Sequence, residues 1–325
     1  MMAKKKIVSI IGTGVIGAGW AARFIASGHH VQAFDPSPRS LKKLKTDVKK
    51  ALISLSKIGL HKNASIKNLS CHNNLQDALK DTSFVQENAP EKENLKTSLL
   101  QEIDQLLDKK ILIASSSSGL LPTKIQSKCK YPNRVLIGHP FNPVYLLPLV
   151  EIVKGKKTSQ QSALKLKKIY KDIGMKPLMV RKEIEGYISD RLQEALWRES
   201  LHLIKDGIAS TEEIDDAIVY GPGLRWAFMG VCLTFHLAGG EEGMKHMLEQ
   251  FGPALKLPWT KLKAPELNKK LKDRMISGTK KQAGKFSIDD LEKQRDFFLI
   301  EIMKTLNNNQ NNKFPNWGKK YNSFK

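Results

Sequence analysis

The 325-residue chain has no apolar run approaching the roughly 20 residues needed to cross a bilayer, which argues against a membrane-spanning helix. Its opening, "MMAKKKIVSIIGTG", has the basic tip and short apolar run of a signal peptide. No small-residue cleavage site follows, and the run passes straight into a glycine motif. It reads as a first β-strand, and the protein as cytoplasmic. Cysteine is scarce: Cys71, Cys129 and Cys232 lie far apart with no CxxC pair. That argues against a disulfide framework and against a thiolate zinc site, and no metal is expected. Acid is also in short supply, with 32 Asp and Glu against 54 Lys and Arg, a formal net charge of +22. The lysines are spread along the whole chain. There is no arginine-rich block, aromatic-interleaved stripe or zinc finger, so the excess reads as a solvated basic surface with no nucleic-acid partner. Such a surface would still attract a phosphate-bearing cofactor.

What is present suits a soluble protein of two domains, with 41% hydrophobic and 26% charged residues. "IVSII", "VQAFD", "SFVQENAPE", "KILIASSSSG", "NRVLIGHP", "LPLVEIVKG" and "KPLMVR" read as strands, several with their exit loops. Helical segments alternate with them, which implies right-handed crossovers and a largely parallel sheet. After about residue 184 helical periods dominate. The expected organisation is a Rossmann-type doubly wound α/β domain over residues 1–184, an all-helical domain over 185–306, and a disordered Asn-rich tail over 307–325. No internal repeat is present.

Gly12-x-Gly14-x-x-Gly17, with Val15 and Ile16 inside it, follows a strand and opens a helix, and Asp35 lies 18 residues beyond Gly17. Gly12 allows the tight turn, Gly14 lets backbone approach a pyrophosphate, and Gly17 lets the helix pack close to the strand. The helix N-terminus offers free N–H groups to the phosphates. Asp35 at the end of the second strand would accept hydrogen bonds from ribose hydroxyls and repel a 2′-phosphate. NAD is therefore expected rather than NADP, with Arg39 nearby as the one contrary sign.

The stretch "HPFNPVYLLPLVEIV" (139–153) is apolar almost throughout, yet holds His139 and Glu151, each costly to bury without a partner. Prolines between them turn the chain back, which would set Glu151 beside His139. A carboxylate on one imidazole nitrogen fixes the tautomer and leaves the other nitrogen free as a general base. Spacing alone allows a structural ion pair equally. Ser115 to Ser118 end the preceding strand, where a serine would hold a substrate oxygen or simply form a polar loop.

"GTGVIG" with Asp35, "APEKENLK", "SSSSGL", "HPFNP" and "LVEIV", in that order, resemble the 3-hydroxyacyl-CoA dehydrogenase family along nearly the whole chain up to the tail. "DRLQEALWRESLHLIKDGIAS", "EIDDAIVYGPGLRWAFMG" and "QFGPALKLPWT" resemble its carnitine-oxidising branch. The resemblance implies NAD as cofactor, L-carnitine as small-molecule substrate, and a homodimer built largely through the helical domain. It implies His139 as catalytic base, Glu151 as its partner, Ser118 as the family's serine, and Glu91 and Lys96 on the nicotinamide side of the cofactor. Where the family reads "GF-x-x-N-R" this chain reads "GYISDR", so Asp190 replaces an amide. A carboxylate suits a cationic substrate better than a thioester. A quaternary ammonium is bound by negative charge and aromatic faces, with Phe141, Trp226 and Phe251 among the candidates. Arg191 is one of several candidates for the substrate carboxylate. A short-chain 3-hydroxyacyl-CoA dehydrogenase and a non-catalytic, crystallin-like NAD-binding protein are the alternatives.

Overall fold

A computed structural model describes residues 7–308, apart from 228, 261, 262 and 264. The described chain divides into two compact units, one ending at Asp190 and the next beginning at Arg191.

The first unit is built from β1 (Ile7–Ile11), α1 (Val15–Ala26), β2 (His30–Phe34), α2 (Pro38–Ser56), β3 (Leu69–His72), α3 (Leu75–Leu79), β4 (Phe84–Glu87), α4 (Glu93–Leu106), β5 (Leu112–Ser115), α5 (Pro122–Ile125), β6 (Val135–Pro140), β7 (Leu149–Val153), α6 (Gln160–Asp172) and β8 (Lys176–Val180). The sheet order is β3-β2-β1-β4-β5-β6-β7-β8. Every pairing is parallel except β6 with β7. The central strands are buried on both faces, which explains their continuous apolar runs. One core, with α1, α2 and α6, covers one face; the other, with α3, α4 and α5, covers the second. The chain steps from β1 out to β3, then restarts at β4 on the other side of β1. The strand order reverses there, and the carboxyl ends of β1 and β4 open the crevice in which such sheets bind ligands.

β3 and α3 escape a reading by hydrophobic period. "LSCH" is a four-residue edge strand with no buried position, and α3 is a single short turn started by the Asn74 side chain. Both are held by neighbours distant in sequence rather than by local pattern.

The second unit is helical: the body of α7 (Ser189–Asp206), then α8 (Thr211–Val219), α9 (Pro222–Trp226), α10 (Val231–Ala238), α11 (Met244–Phe251), α12 (Lys269–Ala283) and α13 (Ile288–Asn308). No strand occurs among its described residues. Ser210 and Glu213 form a capping box that starts α8. Helix α13 continues to Asn308, two residues into the stretch expected as tail; residues 309–325 lie outside the described residues.

Candidate active site

The glycine turn joins β1 to α1. Gly12 adopts φ +91°, and a Cβ there would lie 2.7 Å from the Asn88 backbone. A Cβ on Gly17 would lie 2.0 Å from the Gly12 carbonyl oxygen, so the helix packs this close to the turn only with glycine. A Cβ on Gly14 would meet nothing within 4 Å, so open space lies over the turn. Gly14 caps α1 without any side-chain hydrogen bond to the first-turn N–H groups. Open space, uncapped amides and the positive end of a helix fit a pyrophosphate. Val15 is exposed beside them, and Ile16 lines the pocket described below.

Asp35 follows β2 directly. Its Oδ2 accepts the Thr13 amide at 3.0 Å and the Thr13 hydroxyl at 2.9 Å, and its Oδ1 accepts the Ser37 amide at 3.0 Å. The carboxylate is thus fixed to the glycine turn itself.

His139 and Glu151 are direct partners in the antiparallel register of β6 and β7. His139 Nδ1 lies 3.0 Å from Glu151 Oε2, and both side chains are buried. The other carboxylate oxygen accepts the amides of Ile188 and Ser189, at 3.1 and 3.0 Å, and the Ser189 hydroxyl at 3.2 Å. Burial alone would raise the Glu151 pKa, but the hydrogen bonds from His139, Ser189 and Ile188 outweigh it and hold the carboxyl below its usual range. Glu151 is therefore a fixed anion at Nδ1. On the opposite side of the ring, Nε2 lies 3.6 Å from Asp190 Oδ2, a partly exposed carboxylate in the first turn of α7. The rings of Phe141 and Tyr187 pack edge-on to the imidazole at 5.4 and 5.5 Å.

A cavity of about 250 Å³ connects this dyad to the nucleotide end; Ile16, Asn88, Glu91, Ser116, Ser118 and His139 are among its lining residues. Glu91 Oε1 accepts the amides of Ser118 and Gly119, each at 3.1 Å, that of Leu120 at 3.4 Å, and the Ser117 hydroxyl. These bonds and nearby Lys96 overcome burial and hold the Glu91 pKa below its usual range. Lys96 is itself buried. Its Nζ donates to Glu87 at 2.8 and 3.1 Å and to the Ala89 carbonyl at 2.8 Å.

The structure thus brings together His139, Glu151, Asp190 and Phe141, and beside them Ser118, Glu91 and Lys96. Arg191, Trp226 and Phe251 belong to the second unit. Arg191 is exposed on α7, Trp226 is half-buried at the end of α9, and the Phe251 side chain lies outside the described residues.

Two family models cover this arrangement: "3-hydroxyacyl-CoA dehydrogenase, NAD binding domain" matches residues 7–184, and "3-hydroxyacyl-CoA dehydrogenase, C-terminal domain" matches 186–285. The chain belongs to the 3-hydroxyacyl-CoA dehydrogenase family. It is 52% identical over 301 residues to an L-carnitine dehydrogenase of Bacillus cereus, covering 93% of this chain and 92% of that protein. An L-carnitine dehydrogenase of Oceanobacillus iheyensis is 50% identical over 298 residues, covering 92% and 97%. Among solved structures, an NAD+-dependent 5-formyl-3-hydroxy-2-methylpyridine 4-carboxylic acid 5-dehydrogenase superposes with a TM-score of 0.77. At 24% identity, over 93% of this chain and 98% of that one, it shares the fold.

Glu87 of this dehydrogenase's site escapes a reading by motif. It supports the pocket from the end of β4, and Ser115 and Ser116, in the serine run named above, support it from the end of β5. Glu87 is fully buried, bonded to Lys96 and Ser115. Ser116 Oγ accepts from Trp20 Nε1 at 3.0 Å and Gln86 Nε2 at 2.8 Å and donates to Asn88 at 2.7 Å. A signal for Glu87 existed: an acid inside "FVQEN" demands a partner, as Glu151 does inside "LVEIV". No local signal marks the bond from Tyr187 to the Leu120 carbonyl.

Proposed function

We propose that this dehydrogenase oxidises the 3-hydroxyl of L-carnitine to 3-dehydrocarnitine, with NAD as hydride acceptor. The observation that carries the reading is the position of His139 between two carboxylates of different character. Glu151, buried and held ionised, keeps the proton on Nδ1 and compensates the imidazolium. Nε2 is then the atom that takes the hydroxyl proton. Asp190 is the second carboxylate. In carnitine a single methylene separates the carbinol carbon from the trimethylammonium. With a substrate hydroxyl at Nε2, the cationic arm can reach Asp190, whose carboxylate attracts it and repels the carboxylate arm. Phe141 offers an aromatic face nearby. Ser118, at the mouth of the loop, donates to the substrate oxygen. Gly12, Gly14, Val15, Ile16 and Gly17 hold the pyrophosphate, Asp35 the adenine-side ribose, and Glu91 the nicotinamide side, with Lys96 bracing the loop beneath it. Arg191, Trp226 and Phe251 of the helical unit are candidates for substrate contacts by the family resemblance alone. Identity of about one half to L-carnitine dehydrogenases over nine-tenths of the chain supports the same substrate.

We further propose a cytoplasmic homodimer with a Rossmann-type domain over 1–184 and a helical substrate and dimerisation domain over 185–306. Free cysteines at all three positions suit a reducing compartment. Exposed Leu192, Phe235, Leu237, Ile276 and Phe298 on the helical unit suit a surface covered by a second copy.

NADH production with L-carnitine, 3-hydroxybutyryl-CoA and 3-hydroxybutyrate tests the reaction. Carnitine should be the substrate by orders of magnitude; faster turnover of the thioester would replace this reading with the short-chain hydroxyacyl-CoA one.

A further inference from the structure

Tyr187 is one of two described non-glycine residues with positive φ, at +47°, and its side chain is buried. Aromatic side chains rarely sit in the left-handed region, and where they do the surroundings hold them there. Three contacts explain what holds Tyr187. Its ring packs edge-on to His139 at 5.5 Å. The two residues after it, Ile188 and Ser189, turn their amides onto Glu151. Its hydroxyl donates to the Leu120 carbonyl at 2.8 Å, across 67 positions of chain.

Leu120 closes the loop that cradles Glu91. The amides of Ser118, Gly119 and Leu120 and the Ser117 hydroxyl all point at one oxygen of that carboxylate. The Leu120 amide also bonds Ser117 Oγ at 3.2 Å. A hydroxyl that fixes the Leu120 carbonyl fixes the peptide unit leaving this cradle. Tyr187 therefore touches the proton-accepting dyad with its ring and the Glu91 cradle with its oxygen.

We propose that the Tyr187 hydroxyl is a positioning group that sets affinity for the reduced nicotinamide cofactor by locking the 117–120 loop around Glu91. The proposal rests on the reading of Glu91 as a nicotinamide-side residue. Tyr187 acts through the loop rather than by touching the cofactor.

Tyr187→Phe keeps ring, volume and backbone and removes the hydroxyl that bonds the Leu120 carbonyl. In the enzyme without substrate, NADH titrated by its fluorescence should bind about three- to ten-fold more weakly, the scale of one lost net hydrogen bond. Turnover at saturating NAD should change less than KM for NAD. In a Glu91→Gln background, where the cradle has lost its charge, the same substitution should have little further effect, giving a non-additive cycle. An unchanged NADH affinity accompanied by a lower melting temperature would assign the hydroxyl to packing alone and overturn the proposal. Equal losses in both backgrounds would overturn the route through Glu91. Carnitine oxidation by the unaltered enzyme is assayed separately; its failure would remove the substrate assignment and leave the NADH titration standing.

Discussion

His139 shows how one residue takes its chemistry from its surroundings. A buried carboxylate at Nδ1 and a partly exposed one 3.6 Å from Nε2 are the surroundings on which the proposed base rests. His139→Asn should leave NADH binding near normal and lower turnover by about 10²–10⁴-fold, the usual contribution of general base catalysis. A correctly folded variant with near-normal turnover would end the assignment. Asp190 permits a separate test of charge. An ion pair at about 4 Å is worth ~1 kcal/mol in water and ~4 at an effective dielectric of 20. Asp190 is partly exposed, so the lower part of that range applies, and Asp190→Asn should weaken carnitine binding by roughly ten-fold. A tert-butyl analogue, equal in size and uncharged, should bind the two proteins alike. If both ligands weaken equally, Asp190 acts on the hydroxyl or the nicotinamide, as an asparagine would.

At the scale of elements, two carboxylates of the sheet, Glu151 within β7 and Asp35 after β2, hold neighbouring segments in place. Glu151 on β7 accepts the amides that open α7, a task usually left to a residue beside the helix. The charge that orients His139 thus also anchors the helix carrying Asp190. Because the native pKa of Glu151 is depressed, its stabilisation is complete above the ordinary carboxylate value of 4.5 and is lost as pH falls through the native value. Melting temperatures of the wild type and Glu151→Gln should therefore differ most near neutral pH and converge below about 4.5. Its turnover should fall less than that of His139→Asn, since glutamine still orients the ring. At the end of β2, Asp35 is bonded to Thr13 and Ser37, so its position is set before any ribose arrives. Initial rates should favour NAD over NADP, and Asp35→Ala should narrow the ratio. A native preference for NADP would refute the reading of this strand end.

At the scale of the molecule, charge and apolar exposure give opposite demands. A net charge of +22 repels other copies at long range, while exposed apolar side chains on the helical unit favour association at short range. Charge repulsion is screened beyond about 8 Å at physiological ionic strength, so contact burial should prevail there. Analytical ultracentrifugation should find twice the 36.6 kDa chain mass at 0.15 M salt, with dissociation promoted by very low salt. A monomer at every salt concentration would refute the homodimer.

The sequence by itself determined the α/β alternation, the glycine turn with its acid at the end of β2, and the need of buried His139 and Glu151 for partners. In each case the signal is local: a period of apolar residues, a fixed spacing, or an ionisable group inside an apolar run. The family motifs carried Ser118, Glu91 and Asp190 as well. Tertiary structure alone decided which of these atoms meet. The antiparallel register of β6 and β7 sets His139 opposite Glu151, and a slip of one residue would turn the two to different faces. The left-handed turn at Tyr187 aims two amides at Glu151, and the Lys96–Glu87 pair is made at the exit of β4, beneath Glu91. The edge strand β3, the short helix α3 and the Tyr187–Leu120 bond all depend on partners far away in sequence, and hydrophobic period carries no information about such partners.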